Sequence, residues 1–248
     1  MHQLKSHESK TLYITGAGVS TESGIPTFRG KDGFWTIGSK NYTPQEMATR
    51  AMYQRDPVQF LSWYYHRFAT YRNHAPNVVH YWLAEKNLIT QNIDGLDGKA
   101  GNQNYIAIHG RLDQMTLFHH QGDSVEILMT PWDDIAEDNF TASLLEIFQI
   151  SKSHKPEFDH SYKPYVLLFD EYYTELYRIS EAQQRMWDAE RIIFIGTSFS
   201  VNITQMALEI AVEKNIPIEI VDPQPISLPY TNITYHPMTA SQYIQQQG

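Results

Sequence analysis

The chain contains no cysteine, which excludes disulfide bridges, a thiolate nucleophile and any metal site built on sulfur. Positive charge is scarce. Nineteen Lys and Arg stand against 28 Asp and Glu, a formal net charge of -9, whereas phosphate backbones call for a basic face. Nucleic acid is therefore not an expected partner. Long apolar runs are also missing: the longest, such as residues 192–195 and 166–169, are strand-sized and far short of the roughly 20 residues of a membrane span. The first ten residues are polar, and no signal-peptide core follows them. The expectation is a cytoplasmic protein with no membrane partner. No internal repeat, low-complexity tract or Pro/Gly/Ser linker marks an independent second domain.

What is present is a chain of 248 residues, 42% hydrophobic and 13% aromatic, enough for one large domain carrying a smaller one. From Thr11 the row TLYITGAG reads as a short, buried, β-branched strand that breaks into a glycine turn. Short apolar runs recur at 88–91, 105–108, 165–169, 191–195 and 217–221, each a candidate strand of one parallel sheet. Between them, residues 56–71, 171–188 and 201–214 carry apolar side chains at three- and four-residue spacing, the pattern of amphipathic helices. This alternation predicts an α/β fold with a Rossmann-like, doubly wound parallel sheet. Two intervals break it, one helical in pattern and one polar and aromatic without clear period. The expected division is a Rossmann-like nucleotide-binding domain of residues 1–33, 88–112 and 164–248 and a smaller helical or irregular module of residues 34–87 and 113–163. Packing of Phe118, Trp132, Leu144, Leu145 and Phe148 is expected to hold that module together.

Gly16-Ala17-Gly18 after a strand makes a tight turn and can bring backbone N–H groups to a pyrophosphate. Alone it is a weak signal. Thr21 replaces the third glycine of the dinucleotide fingerprint, and no acidic residue closes a second strand about 20 residues on, as a dehydrogenase requires.

The longer row GAGVSTESGIPTFRG, residues 16–30, resembles the NAD-binding signature of the sirtuin family. Further blocks fall in that family's order: TQNID at 90–94, His109-Gly110, KPYVLLF at 163–169 and GTSFSV at 196–201. The resemblance implies NAD as a consumed co-substrate and an acyl-lysine protein or peptide as partner. In that family the acyl oxygen attacks the anomeric carbon of the nicotinamide ribose, and a histidine then acts as general base on the ribose hydroxyls. His109 matches it, and imidazole suits the task because its pKa lies near neutrality. By the same resemblance Gln91 would hold ribose, Asn92 would position water, and Asp94 with the backbone of Ile93 would face the nicotinamide carboxamide. Gly16, Ala17 and Gly18 would form the phosphate turn, with Thr197 and Ser198 reaching the phosphates from a second turn. Thr27, Phe28 and Arg29 would belong to the cofactor loop, the ring of Phe28 shielding the ribose and Arg29 meeting phosphate. Asp222 stands where the family commonly shows asparagine near the adenine ribose.

Tyr64 and Arg67, three apart, share a helix face. They resemble the Tyr-x-x-Arg of sirtuins that accept succinyl- and malonyl-lysine, with Ala48 at the small position that leaves the pocket roomy. A guanidinium fork suits a carboxylate-ended acyl chain.

Two departures stand out. The family's two C-x-x-C pairs are absent, and the spacing of His119, His120, His154 and His160 does not reproduce them, so no metal and no zinc are expected. The family's Phe-Gly-Glu substrate loop reads Phe169-Asp170-Glu171, which raises a question about peptide binding. An NAD-dependent lysine deacylase is the leading expectation. A sirtuin-like ADP-ribosyltransferase or NAD hydrolase is the alternative, and a non-catalytic NAD sensor a third.

Overall fold

The structure, a computed structural model, describes residues 10–27, 43–151 and 153–247. Among them nine strands form two sheets: β1 (Thr11–Thr15), β2 (Asn87–Thr90), β3 (Ile106–Ala107), β4 (Gly110–Leu117), β5 (Ile127–Met129), β6 (Tyr162–Val166), β7 (Arg191–Ile195), β8 (Ile218–Val221) and β9 (Ile233–His236). The larger sheet runs β3-β2-β1-β7-β8-β9 with every pairing parallel. This is the doubly wound order, reversing direction between β1 and β7.

Both faces of that sheet are covered, so its central strands are buried along nearly their whole length rather than at alternate positions. Leu12, Ile14, Ile192, Phe194, Ile218 and Ile220 pack against Ala182 and Met186 of helix Ile179–Asp188 and against Ile203, Ala207 and Ala211 of helix Asn202–Glu213. Tyr13, Leu88, Ile193, Ile195 and Val221 face the other way, against Val79 and Leu83 of helix Val78–Leu83 and Tyr243 and Ile244 of helix Ala240–Gln245. Helix Val78–Leu83 thus lies on the large sheet.

The smaller sheet, β5-β4-β6, is antiparallel. Helix Pro57–Tyr71 and helix Phe140–Ile147 join it around a third core built from Tyr53, Phe60, Trp63, Phe118, Trp132, Leu144 and Phe148, with Leu145 partly buried against it. The apolar run at 165–169 is thereby corrected: its first residues close β6, antiparallel to β4, instead of adding to the parallel sheet. A short apolar run records burial but not which neighbour it pairs with. The helical pattern at 171–188 is realised only from Ile179, because Arg178 sits at φ 58 in the left-handed region and breaks the helix there. No helix among the described residues is long and apolar enough to cross a membrane.

Candidate active site

The carboxyl ends of β1 and β7 meet at the reversal of strand order, where open α/β sheets bind ligands. Gly16 N–H donates to Ile195 O (3.0 Å) and Gly18 N–H to Gly196 O (2.9 Å), tying the two turns together. A Cβ on Gly18 would stand 2.6 Å from Gly196 Cα, so the contact admits glycine alone on both sides. The chain leaves Gly16 as a 3-10 helix, Ala17–Ser23, not as an α-helix.

Next to this contact, β2 ends in Gln91-Asn92-Ile93-Asp94. Gln91, buried, donates from Nε2 to Thr15 O and Thr197 Oγ1, both at 3.1 Å, linking the β1, β2 and β7 ends. Asn92, also buried, donates from Nδ2 to Gly16 O (3.2 Å) and Ser20 Oγ (3.1 Å), while its Oδ1 has no hydrogen-bond partner among the described residues. Asp94 accepts from Ser20 Oγ (2.7 Å) and from Leu96 N–H (2.9 Å), and Ile93 O accepts from Leu112 N–H (2.9 Å). Ala17, Ser20, Ile25, Pro26, Asn92, Ile93 and Asp94 line a cavity of about 30 Å³, room for a water molecule.

His109 follows β3 and is half-buried. Its Nδ1 lies 2.9 Å from Gln91 O and its Nε2 3.0 Å from the Tyr173 hydroxyl. A carbonyl can only accept, so Nδ1 carries the proton and Nε2 presents a lone pair. Burial drives the ring's pKa down to about 4, against an upward pull from Gln91 O. His109 is therefore neutral at physiological pH and ready to accept a proton at Nε2. Gly110, at φ 79 with no room for a Cβ against Tyr165 O, turns the chain directly into β4.

The remaining expected residues divide. Thr197 is buried beside Gln91, and Ser198 is exposed with its hydroxyl 2.9 Å from Ser200 Oγ. Asp222 follows β8, further along the same carboxyl edge, and accepts from Gln224 N–H (2.8 Å). Thr27 is half-buried at the end of a described stretch, and Phe28 and Arg29 lie outside the described residues. Ala48, Tyr64 and Arg67 are all buried in the small module. Arg67 donates to Trp63 O (2.8 Å), and its guanidinium lies 3.3 Å from the Trp63 ring centroid. Burial lowers its pKa to about 9, partly opposed by Tyr64 and Tyr71.

Several residues here were not anticipated. Ser20 lies within the glycine-rich row, but only the fold shows it bridging Asn92 and Asp94. His80, fully buried, stands 3.4 Å from Ser20 Oγ, with its pKa lowered by burial against Asp94. Asp97 is buried next to them, and burial, then Asp94, push its pKa up to about 7. Tyr173 had no sequence signal. The Asp170 departure finds a local cause: its carboxylate accepts from Arg50 N–H (2.7 Å) and Ala51 N–H (3.1 Å), while Thr49 Oγ1 takes Met52 N–H. The open N–H groups of helix Arg50–Arg55 are thus capped from another segment. Asp170 is not among the residues at positive φ, so it carries no glycine-type strain. Among the described residues no group of three or more His, Asp or Glu is placed to hold a metal ion.

The fold and crevice define a doubly wound α/β protein with a ligand site at its topological switch point. The Sir2 family model matches residues 16–203, and the chain belongs to the Sir2 family. It is similar to an NAD-dependent protein deacetylase of Saccharolobus solfataricus, 35% identical over 205 residues that make up 78% of this chain and 72% of that protein. An NAD-dependent protein deacylase 1 of Caldanaerobacter subterraneus is 46% identical over 109 residues, 41% of this chain and 43% of the relative. With several such relatives the match spans only 43–44% of their length. A crystal structure of a Sir2 homolog–NAD complex superposes with a TM-score of 0.72 at 27% identity, over 99% of this chain and 92% of that one.

Proposed function

We propose that the chain is an NAD-dependent lysine deacylase, acting on acyl-lysine in a protein or peptide and preferring acyl chains that end in a carboxylate, such as succinyl or malonyl. The observation that carries the reading is His109: a neutral imidazole of fixed tautomer, held through Nδ1 by the carbonyl of Gln91, the residue before Asn92, with its accepting nitrogen at the Tyr173 hydroxyl. Relatives named as deacylases and deacetylases support it.

The residues present fit NAD, because Asn92 Oδ1 is a buried acceptor awaiting a donor and the crevice mixes amide, hydroxyl and carboxylate groups on rigid strand ends. Bound there, NAD would supply an anomeric carbon that takes the acyl oxygen as nicotinamide departs. Gln91 and Asn92 would hold the ribose and a water. Asp94 and the Ile93 backbone would hold the carboxamide, with Ser20 fixing Asp94. Gly16 and Gly18 N–H are already bonded, leaving that of Ala17, with Thr197 and Ser198, for phosphate, while Asp222 would accept from ribose hydroxyls. His109 Nε2 would be the base that ends with the proton when a ribose hydroxyl is deprotonated, and the Gln91 carbonyl would stabilise the imidazolium.

The acyl preference follows from Arg67. A buried guanidinium whose pKa is pulled down to about 9 stabilises a carboxylate brought beside it far better than an exposed one does. One observation favours the alternative, an ADP-ribosyltransferase or NAD hydrolase: Asp170 and Glu171 are committed to Arg50, which restrains the loop that would bind a lysine peptide. Nicotinamide release with acetyl-, succinyl- or malonyl-lysine peptides, and with none, separates the readings. Peptide-dependent release with a succinyl or malonyl advantage is expected; equal release without peptide would move the assignment to NAD hydrolysis.

A further inference from the structure

The segment after β6 is fixed twice before it reaches the crevice. Glu171 is held by Arg50 (2.7 Å) and Lys163 (3.4 Å). Tyr172 then donates its N–H to Gln121 Oε1 (2.8 Å) and its hydroxyl to Gln121 O (2.9 Å). Tyr172 is thereby anchored on the small module, and the next residue, Tyr173, stands against His109. The two rings lie nearly parallel, 18° apart, with the Tyr173 hydroxyl 3.0 Å from Nε2. The backbone of Ile203, at the start of helix Asn202–Glu213, lies close to the same phenol and tends to lower its pKa.

The direction of these bonds is forced. Nδ1 gives its proton to Gln91 O, so Nε2 is bare and the Tyr173 O–H must donate to it. A phenol oxygen has one proton and two lone pairs. Its donated proton is committed to Nε2, and a lone pair on the oxygen is available to a hydroxyl arriving in the crevice.

We propose that Tyr173 is a catalytic residue that relays the proton of a ribose hydroxyl to His109, a step that rests on the deacylase reading above. The ribose O–H bond breaks as its proton passes to the Tyr173 oxygen. The original Tyr173 O–H bond breaks as that proton passes to Nε2. Tyr173 ends neutral, His109 ends as imidazolium, and the electron pair stays on the sugar oxygen, which becomes the nucleophile. Burial, partly offset by Ile203, pushes the phenol's pKa up to about 12, so it carries a proton rather than acting as a base in its own right.

The test is Tyr173→Phe, which keeps the ring and removes the relay, assayed with NAD and the best acyl-lysine peptide. Product formation should fall on the order of 100-fold with little change in KM, while exchange of labelled nicotinamide into NAD, which needs no ribose proton transfer, persists. In mixtures of light and heavy water the wild-type rate should curve as two protons in flight require, and the variant's should be linear. A readout without NAD or peptide is the NMR titration of His109. Tyr173 stabilises the neutral ring, so the variant's pKa should rise above that of the wild type. Unchanged kinetics or faster turnover in the variant, with a working wild type, overturns the relay alone. An unmoved His109 titration overturns the hydrogen bond on which it stands. A wild type that releases no nicotinamide with any acyl-lysine peptide overturns the deacylase reading, and the relay with it.

Discussion

Glu171→Gln offers a sharp test of how the loop after β6 is held. The Glu171 side chain is 3% exposed, and it faces Lys163 Nζ, at 0% exposure, and Arg50 Nη1, at 11%. It also takes Leu168 N–H at 2.9 Å. Gln keeps the size but removes the negative charge, leaving two buried cations side by side, a change that typically costs about 3–5 kcal/mol. For a chain of this length, about 2–4 °C of melting temperature go with each kcal/mol, so the midpoint should drop by about 6–20 °C. The loss has a pH signature that steric damage lacks. Burial lowers the Lys163 pKa, opposed in the wild type mainly by Glu171, and without that carboxylate Lys163 binds its proton still less readily when folded. The unfolded state then holds more protons, and the deficit should shrink as the pH rises toward about 10.4, the pKa of unfolded lysine. The double variant Glu171→Gln, Lys163→Met should recover much of the loss, since one cation is gone and Arg50 retains the His119 carbonyl. Thermal unfolding by circular dichroism reads all of this. A single variant melting within about 2 °C of the wild type would refute the reasoning.

Three further outcomes are expected. Asp170→Ala should cost about 0.5–2 kcal/mol by uncapping helix Arg50–Arg55, read from urea midpoints, and a gain in stability would show the cap to be immaterial. Arg67→Met should cut succinyl-lysine turnover at least about 10-fold more than acetyl-lysine turnover, and equal losses would undo the acyl-pocket assignment. The pH profile of kcat/KM should keep activity well below pH 6.5 on its acid side, because burial holds His109 at about 4. Activity falls only as the pH drops through that value and the base is protonated; an acid limb at 6.5 would mean that burial does not act as described.

The large sheet was legible because both its faces are covered: a strand buried on two sides carries a run of consecutive apolar residues, as Leu12 to Ile14 do in the all-buried β1, and that is visible one strand at a time. The small sheet was not. β4 mixes buried and half-buried positions along GRLDQMTL, and only its partners reveal it as a strand. Around the crevice, Gln91 to Asp94 and His109 were singled out through blocks that stand out locally, whereas His80 reaches Ser20 across 60 residues. Tyr173 depends on a contact between Tyr172 and Gln121, 51 residues apart, so no local pattern could have pointed to it. Asp170 looked like a departure from the family's Phe-Gly-Glu because its partner, the start of helix Arg50–Arg55, lies 120 residues away.

Having no cysteine, the small module needs another way to bind its distant segments together, and Arg50 supplies one. Its guanidinium lies 4.5 Å from the Phe118 ring centroid and 5.7 Å from that of Phe158. It donates to the His119 carbonyl and pairs with Glu171, while Tyr53, on the same helix, donates its hydroxyl to the Tyr162 carbonyl. One short helix thus joins the end of β4, the start of β6 and the loop after it. Such a joint is strong only while its charges stay matched and dry. The same loop continues through Tyr172 to Tyr173, whose hydroxyl is the contact of His109 Nε2. Cohesion of the module and the proposed proton transfer at the crevice would therefore share one segment, so a change that loosens Arg50 should displace Tyr173 before it unfolds the chain. Loss of turnover in an Arg50 variant should accordingly set in below the temperature at which its far-ultraviolet signal melts.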